Sequence, residues 1–155
     1  MEAQVKKYLS NPDHPMFLDC FVCGIKNPRG LNTKFFIVGD GVKATFTADE
    51  TLSGYKHSVH GGIISSLLDE AIIWASYAAT GRIGVTAELT VRFLKSLSIG
   101  KKCTIKGKVV KNRRRLWIAK GEIVDEEGKL CATAIGKVVP MHQEQMDKIK
   151  GRKVF

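Results

Sequence analysis

The chain has few aromatic residues and no long apolar run. Phe, Trp and Tyr make up 8% of its 155 residues, which argues against the stacked aromatic platforms that bind single-stranded nucleic acids. No apolar run reaches the roughly 20 residues that a membrane helix needs, and the start of the sequence lacks the apolar core of a signal peptide. No repeat or linker suggests a second domain. We therefore expect one globular domain in the cytoplasm, without a membrane partner.

Positive charge, in contrast, is in excess. Lys and Arg number 25 against 15 Asp and Glu, which gives a formal net charge of +10. Such an excess attracts nucleic acids, anionic membranes or phosphorylated small molecules. A lysine-rich, solvated surface has the same composition, so charge alone does not identify a partner.

Cysteines are few. They are Cys20, Cys23, Cys103 and Cys131. In a cytosolic protein their thiols are expected to be reduced. Cys20 and Cys23 have the spacing of half a zinc site, but no second pair follows, and His14 or His57 would complete a site only by an accident of folding. We therefore interpret this segment as a structural loop, and we expect neither a metal nor a cofactor.

The alternation of apolar and polar residues predicts six strands. They cover residues 33–38, 42–47, 84–93, 102–110, 116–124 and 129–139. Residues 61–80 are apolar on all sides, which predicts a long helix that is buried on most of its surface and ends at Gly81. A short helix is expected at residues 2–9, and the charged tail forms either a short helix or a disordered segment.

One long helix with strands before and after it indicates an α+β fold. An antiparallel sheet covers one side of such a helix, so its other apolar sides must pack against something else, which points to a second subunit. We divide the chain into an N-terminal extension (residues 1–17), one domain (residues 18–140) and a charged C-terminal tail (residues 141–155).

Two acids interrupt the apolar helix. Asp69 and Glu70 are the only acidic residues between Gly61 and Thr80. A carboxylate among apolar side chains is costly to ionise, which raises its pKa into the range of a general acid or base. Neighbouring residues point about 100° apart on a helix, so one of the two is expected to face water. The sequence does not show which one.

The residues before the helix allow two interpretations. Gly61 and Gly62 are poor helix formers, and amides at a helix start can hold an oxygen that gains negative charge. A tight turn into the helix would explain the same pair. His60 is equally open: it suits a helix cap, a ligand contact or a structural histidine.

Together these residues resemble a known motif. His60-Gly61-Gly62, with Leu67 and then Asp69, resembles the HGG-x-x-x-x-L-x-D motif of hot-dog thioesterases of the phenylacetic-acid-degradation type. Residues 85–93 resemble the strand that follows the central helix in this family, and residues 20–31 resemble an N-terminal loop of many members. The resemblance covers residues 18–139.

The resemblance implies a fold and a site. A sheet would wrap round the helix, two subunits would join edge to edge, and the homodimers would pair into a homotetramer with active sites between subunits. Asp69 would act as base or nucleophile and the Gly62 amide would polarise the thioester carbonyl. Thr86 would help to position water from the partner subunit. We add His60 to the catalytic set and expect Gly61 and Glu70 to contact substrate.

One position departs from the family pattern. Many members have Asn or Gln six residues before the histidine, where this chain has Gly54. The family substrate, coenzyme A, carries phosphates that basic side chains would bind. The candidates are Arg92, Lys95, Lys111, Arg113, Arg114 and Arg115. For the arginine run, a solvated turn and a nucleic-acid contact are the alternatives.

We therefore predict a thioester hydrolase that cleaves an acyl-CoA substrate and does not bind nucleic acid. The alternative is a non-catalytic acyl-CoA-binding or regulatory protein of the same fold. A dehydratase fits less well, because its chemistry needs a histidine paired with an acid, and His60 does not match that arrangement.

Overall fold

A long helix lies against a seven-stranded antiparallel sheet in the computed structural model, which describes residues 7–8 and 17–151. The strands are β1 (Lys7–Tyr8), β2 (Phe36–Val38), β3 (Gly41–Thr47), β4 (Gly84–Phe93), β5 (Lys102–Arg113), β6 (Leu116–Val124) and β7 (Leu130–Pro140). The helices are α1 (Gly61–Thr80) and α2 (Gln143–Gly151). The strand order is β1-β2-β3-β5-β6-β7-β4, so α1 lies in the chain between two strands, β3 and β4, that are far apart in the sheet.

The predicted α+β, hot-dog architecture is confirmed, and so are the bounds of α1 and the existence of all six predicted strands. The prediction of a helix at residues 2–9 is wrong for Lys7 and Tyr8, which form β1; the rest of that segment lies outside the described residues. The physical reason is that β2 exposes an unpaired edge, and Lys7 and Tyr8 pair with Ile37 and Phe36 there. Of the two possibilities for the tail, the structure has a helix, α2.

The helix α1 is capped by His60 at its start and by Gly81 at its end. Gly81 takes the left-handed conformation (φ 68°) that favours glycine, and its amide donates to Tyr77 O at 2.8 Å. Within the helix, the hydroxyl of Ser76 donates to Ile72 O at 2.8 Å, which satisfies a polar group that is 1% exposed. None of the helices that the structure describes is long and apolar enough to cross a bilayer.

The helix lies directly on the sheet because three strands present glycine beneath it. A Cβ on Gly107 of β5 would lie 2.3 Å from Ala71 O, and one on Gly136 of β7 would lie 2.8 Å from a methyl carbon of Ile72. Gly121 of β6 is the cross-strand partner of Gly107. Larger residues at these positions would hold the helix away from the sheet and leave the core less well packed.

These contacts predict different effects for two neighbouring substitutions. Gly107→Ala is expected to lower the free energy of unfolding by about 1–3 kcal/mol, because the new methyl group meets the helix backbone. Gly121→Ala is the matched control: its Cβ would lie 3.1 Å from a side-chain carbon of Leu68, which can move. Urea unfolding of both variants measures the difference. Equal stability of the two would contradict the close approach of helix and sheet.

Candidate active site

Asp69 and Thr86 meet in a cleft beside α1. Thr86 Oγ1 donates a hydrogen bond to Asp69 Oδ1 at 2.6 Å, and both residues are half-buried. The cleft is shallow and measures about 390 Å³. Its lining residues are Ser65, Ser66, Asp69, Thr86, Ala87, Glu88 and Leu89. A carboxylate held by a hydroxyl at the wall of an open cleft is positioned to act on a bound molecule or a water.

A β-bulge aims Thr86 at the helix. Thr86 pairs with Val138 and Glu88 pairs with Lys137, so Ala87 is an extra residue in β4. Strict alternation would place Thr86 on the opposite face from Leu89. With the extra residue, both Thr86 and Leu89 face the helix side, while Val85 is exposed. Regular alternation along residues 84–93 would place Val85 and Leu89 on one face, and the bulge separates them.

Asp69 and the Thr86 that contacts it belong to the same chain, which differs from the expected arrangement. The family resemblance implied that Thr86 acts from the partner subunit. Instead, Thr86 reaches Asp69 of the same chain, because β4 runs alongside α1 and the bulge turns the hydroxyl inward. One chain is enough to build this pair.

His60 is the cap of α1, which answers a question that the sequence left open. Its Nδ1 accepts a hydrogen bond from the Gly62 amide at 2.8 Å, and its carbonyl accepts from Ile63 at 3.0 Å. The Gly62 amide is thus bound to His60 in this structure. Gly61 lies against Phe93, whose ring carbons are 3.4 Å from the position of a Cβ. A Cβ on Gly54 would lie 3.2 Å from His60 Cα, so Gly54 also borders this end of the helix.

Helix geometry separates this cap from Asp69. Asp69 is seven positions after Gly62, and a rise of 1.5 Å per residue places the two about 10 Å apart along α1. An oxyanion donor and an attacking group must both lie about 3 Å from the reacting atoms. Within one chain, the Gly62 amide and Asp69 are therefore too far apart to act on the same carbonyl.

Glu70 is the acid that α1 buries, and it faces away from the cleft. It is 8% exposed and lies against the N-terminal loop, with Oε1 2.9 Å from Cys23 Sγ and 3.6 Å from Cys20 Sγ. The expectation that Glu70 contacts substrate at the cleft does not agree with this position. Helical rotation explains the difference, since adjacent residues point about 100° apart. Sequence reasoning missed the contact because 47 positions separate Cys23 and Glu70.

The surroundings of Glu70 shift three pKa values. Burial raises the pKa of Glu70 to about 8, and the neighbouring Cys20 adds to the rise. A hydrogen bond from Cys23 lowers the pKa of Cys20 to about 5, and the same bond together with burial raises that of Cys23. The three groups thus share protons among themselves.

The predicted phosphate-binding residues do not line the cleft. Arg92 is on the face of the sheet away from α1, where it borders a cavity of about 700 Å³ together with Lys106 and Lys108. Lys95 is paired with Asp125. Arg113 ends β5 and Arg114 lies in the exposed turn that follows. The structure therefore distributes these four predicted residues over three places.

Comparison with known proteins agrees with the fold and the motif. The model of the thioesterase superfamily matches residues 57–132. A candidate esterase of Saccharolobus solfataricus is 34% identical over 95 residues, which are 59% of this chain and 61% of the relative. An uncharacterized protein of Schizosaccharomyces pombe is 31% identical over 103 residues, or 63% of this chain and 59% of the relative. The chain thus spans about three fifths of the length of these curated relatives.

Solved structures show the same fold. A thioesterase superfamily protein, RHA08564, has a TM-score of 0.73 at 25% identity, covering 83% of this chain and 63% of its own. A hypothetical thioesterase of Streptococcus pneumoniae, solved with coenzyme A, has a TM-score of 0.67 at 25% identity (72% and 88%). The Escherichia coli PaaI protein, 24% identical, has a TM-score of 0.67 (72% and 81%). The chain thus resembles the thioesterase superfamily in fold and over residues 57–132, as its HGG motif predicted.

The role of His60 as the cap of α1 can be tested by substitution. His60→Ala removes the acceptor of the Gly62 amide and is expected to lower the free energy of unfolding by about 1 kcal/mol. His60→Asn keeps a side-chain acceptor at the cap and should recover most of that loss. Chemical unfolding of the three proteins measures the effect, and an equal loss in both variants would count against a capping role.

Proposed function

We propose that the protein hydrolyses acyl-CoA thioesters to the free acid and coenzyme A in the cytoplasm. The observation that carries the proposal is the Asp69 carboxylate, held by Thr86 at the wall of an open cleft. The match of residues 57–132 to the thioesterase superfamily model supports hydrolysis. The coenzyme A bound by the Streptococcus pneumoniae protein supports a CoA ester as the substrate class.

The chemistry follows from the donors and acceptors at the cleft. The Thr86 hydroxyl occupies Asp69 Oδ1, which leaves Oδ2 to attack the thioester carbonyl or to take a proton from an attacking water. The carbonyl oxygen then carries negative charge, and an amide at a helix start is suited to stabilise it. Collapse of this intermediate breaks the C–S bond and expels the thiolate of coenzyme A. If water attacks, the free acid forms at once and the proton taken up by Asp69 passes to the thiolate. If Asp69 itself attacks, a mixed anhydride forms, and water then hydrolyses it to the free acid and restores the carboxylate.

The oxyanion donor is proposed to come from a second copy of the chain. Gly62 lies about 10 Å from Asp69 along α1, so a single chain cannot bring both to one carbonyl. β4 forms an edge of the described sheet and exposes Val85 and Phe93, and an open edge of this kind favours pairing. Edge-to-edge dimers would place Gly62 of one copy near Asp69 of the other, and pairing of dimers would give a homotetramer.

Two further parts of the site are proposed on the same basis. The Gly62 amide can donate to a carbonyl only after its hydrogen bond to His60 Nδ1 is broken. This gives His60 a role at the site.

Arg92, Arg113 and Arg114 are exposed and have no ion pair within the described residues. They are therefore free to bind the phosphates of coenzyme A.

Replacing the proposed base should abolish most of the activity. Asp69→Asn is expected to reduce kcat/KM for a hydrolysed acyl-CoA by about 10²–10⁴-fold, with little change in Tm because the side chain keeps its size. Glu88→Gln is the matched control, since Glu88 also lines the cleft but pairs with Lys137 on the surface. A panel of short, long and aromatic acyl-CoAs supplies the substrates. Unchanged turnover in Asp69→Asn would exclude the proposed mechanism.

The proposed sharing of a site between two copies has its own test. Asp69→Asn and Gly62→Pro are each expected to be inactive, the second because proline lacks an amide hydrogen. Co-expression of the two variants should restore about a quarter of the activity, since half of the randomly formed symmetric dimers are mixed and each has one intact site of two. No recovery in mixed dimers of normal stability would mean that the site lies within one chain.

A non-catalytic acyl-CoA-binding protein is the second candidate. Gly54 favours it, because a glycine has no side chain to hold the thioester oxygen at a position that borders His60. Tight binding of acyl-CoA without hydrolysis across the same panel would support this alternative over the enzyme.

A further inference from the structure

Three side chains that could bind a metal converge where the N-terminal loop meets α1. They are the thiols of Cys20 and Cys23 and the carboxylate of Glu70, and their ligand atoms all lie within 4.8 Å of one another. Cys20 Sγ is 3.6 Å from both oxygens of Glu70, and Cys23 Sγ is 2.9 Å from Oε1. The cluster lies outside the cleft of Asp69 and Thr86.

No cation in the described part of the chain balances this cluster. Glu70 is 8% exposed and Cys23 is 2% exposed. None of the ion pairs among described residues involves Glu70, and its hydrogen-bond donors there are the two thiols, which are weak donors. Buried carboxylates are normally paired with a cation or bound to a metal. A cation among the three groups would supply the missing positive charge.

The loop is built to hold both sulfurs on one side. The Gly24 amide donates to Cys20 O at 2.9 Å and closes a tight turn between the cysteines. A Cβ on Gly24 would lie 2.4 Å from Cys20 N, so a larger residue would open the turn. Beyond it, Thr33 N donates to Val22 O at 2.8 Å and ties the loop down. The sulfurs are thus positioned by the backbone before any ligand arrives.

We propose that Cys20, Cys23 and Glu70 bind a zinc ion that fastens the N-terminal loop to α1. Tetrahedral zinc with Zn–S near 2.3 Å and Zn–O near 2.1 Å keeps its sulfur and oxygen ligands about 3.6 Å apart, which matches the distances from Cys20. Cys23 Sγ lies closer to Glu70, at 2.9 Å from Oε1, and this distance must lengthen by about 0.7 Å when zinc binds between them.

The donor set selects the kind of metal. Two thiolates favour zinc over magnesium or calcium, which bind oxygen ligands. Three protein ligands leave a fourth tetrahedral position for water or another side chain. His57 is not part of the cluster, and His14 lies outside the described residues. Binding releases the thiol protons, so zinc affinity rises with pH over the range in which the cluster titrates.

The first experiment measures the metal in the unmodified protein. The full chain is purified without a histidine tag and without chelators. Inductively coupled plasma mass spectrometry is expected to find about one zinc per chain. After removal of the metal, Zn²⁺ should rebind with a Kd below about 1 μM. Co²⁺ should give the near-ultraviolet charge-transfer band of thiolate ligation and the visible bands of tetrahedral cobalt. Weaker zinc binding, or cobalt spectra without the thiolate band, would overturn the proposal.

The second experiment assigns the ligands. Cys20→Ser and Cys23→Ser should each lose the zinc and the cobalt thiolate signal, and Glu70→Gln should weaken zinc binding by at least about tenfold. Cys131→Ser is the matched control and should retain one zinc, because this buried cysteine lies outside the cluster. Zinc retained in both Cys20→Ser and Cys23→Ser, or a Cys20–Cys23 disulfide as the state found in cells, would contradict the site. Neither readout depends on thioester hydrolysis.

Discussion

The close contact between α1 and the sheet controls the positions of both acids of the helix. Because Gly107 and Gly136 have no side chains, the helix backbone lies on the strands and has little freedom to shift or rotate. Asp69 and Glu70 are adjacent, so the rotation of about 100° between them sends one toward β4 and the other toward the N-terminal loop. Two chemically similar residues thus enter two different environments, one half-open and one buried.

The second constraint is the extra residue in β4. Without Ala87 in the bulge, the hydroxyl of Thr86 and the side chain of Leu89 would lie on opposite faces, and Asp69 would lose its partner. The helix fixes the carboxylate and the bulge brings the hydroxyl to it, so the pair depends on tertiary structure from two elements. A change in either element alters the geometry of the cleft.

The sequence predicted most of the elements and named Asp69 and Thr86, but it did not predict the tertiary contacts that position them. The apolar surface of residues 61–80 and the alternation in the later strands predicted α1 and six strands, because those periods follow directly from backbone geometry. The bulge at Ala87 could not be predicted from the sequence, because one extra residue in a strand leaves its composition unchanged. The contact of Cys23 with Glu70 was also missed, because no local pattern links residues 47 positions apart. Lys7 and Tyr8 form a strand for a tertiary reason, the open edge of β2.

The two acids are mechanically linked through the helix backbone. Any interaction that fixes Glu70 against Cys20 and Cys23 also fixes the rotation of the turn that carries Asp69. That rotation determines whether the Asp69 carboxylate meets Thr86 at hydrogen-bond distance. A bound cation would hold Glu70 more firmly than two thiol hydrogen bonds do, because the attraction between ions is stronger at a buried site. The loop of residues 17–33 does not line the cleft. It nevertheless helps to hold Asp69, which faces the cleft, in a fixed position.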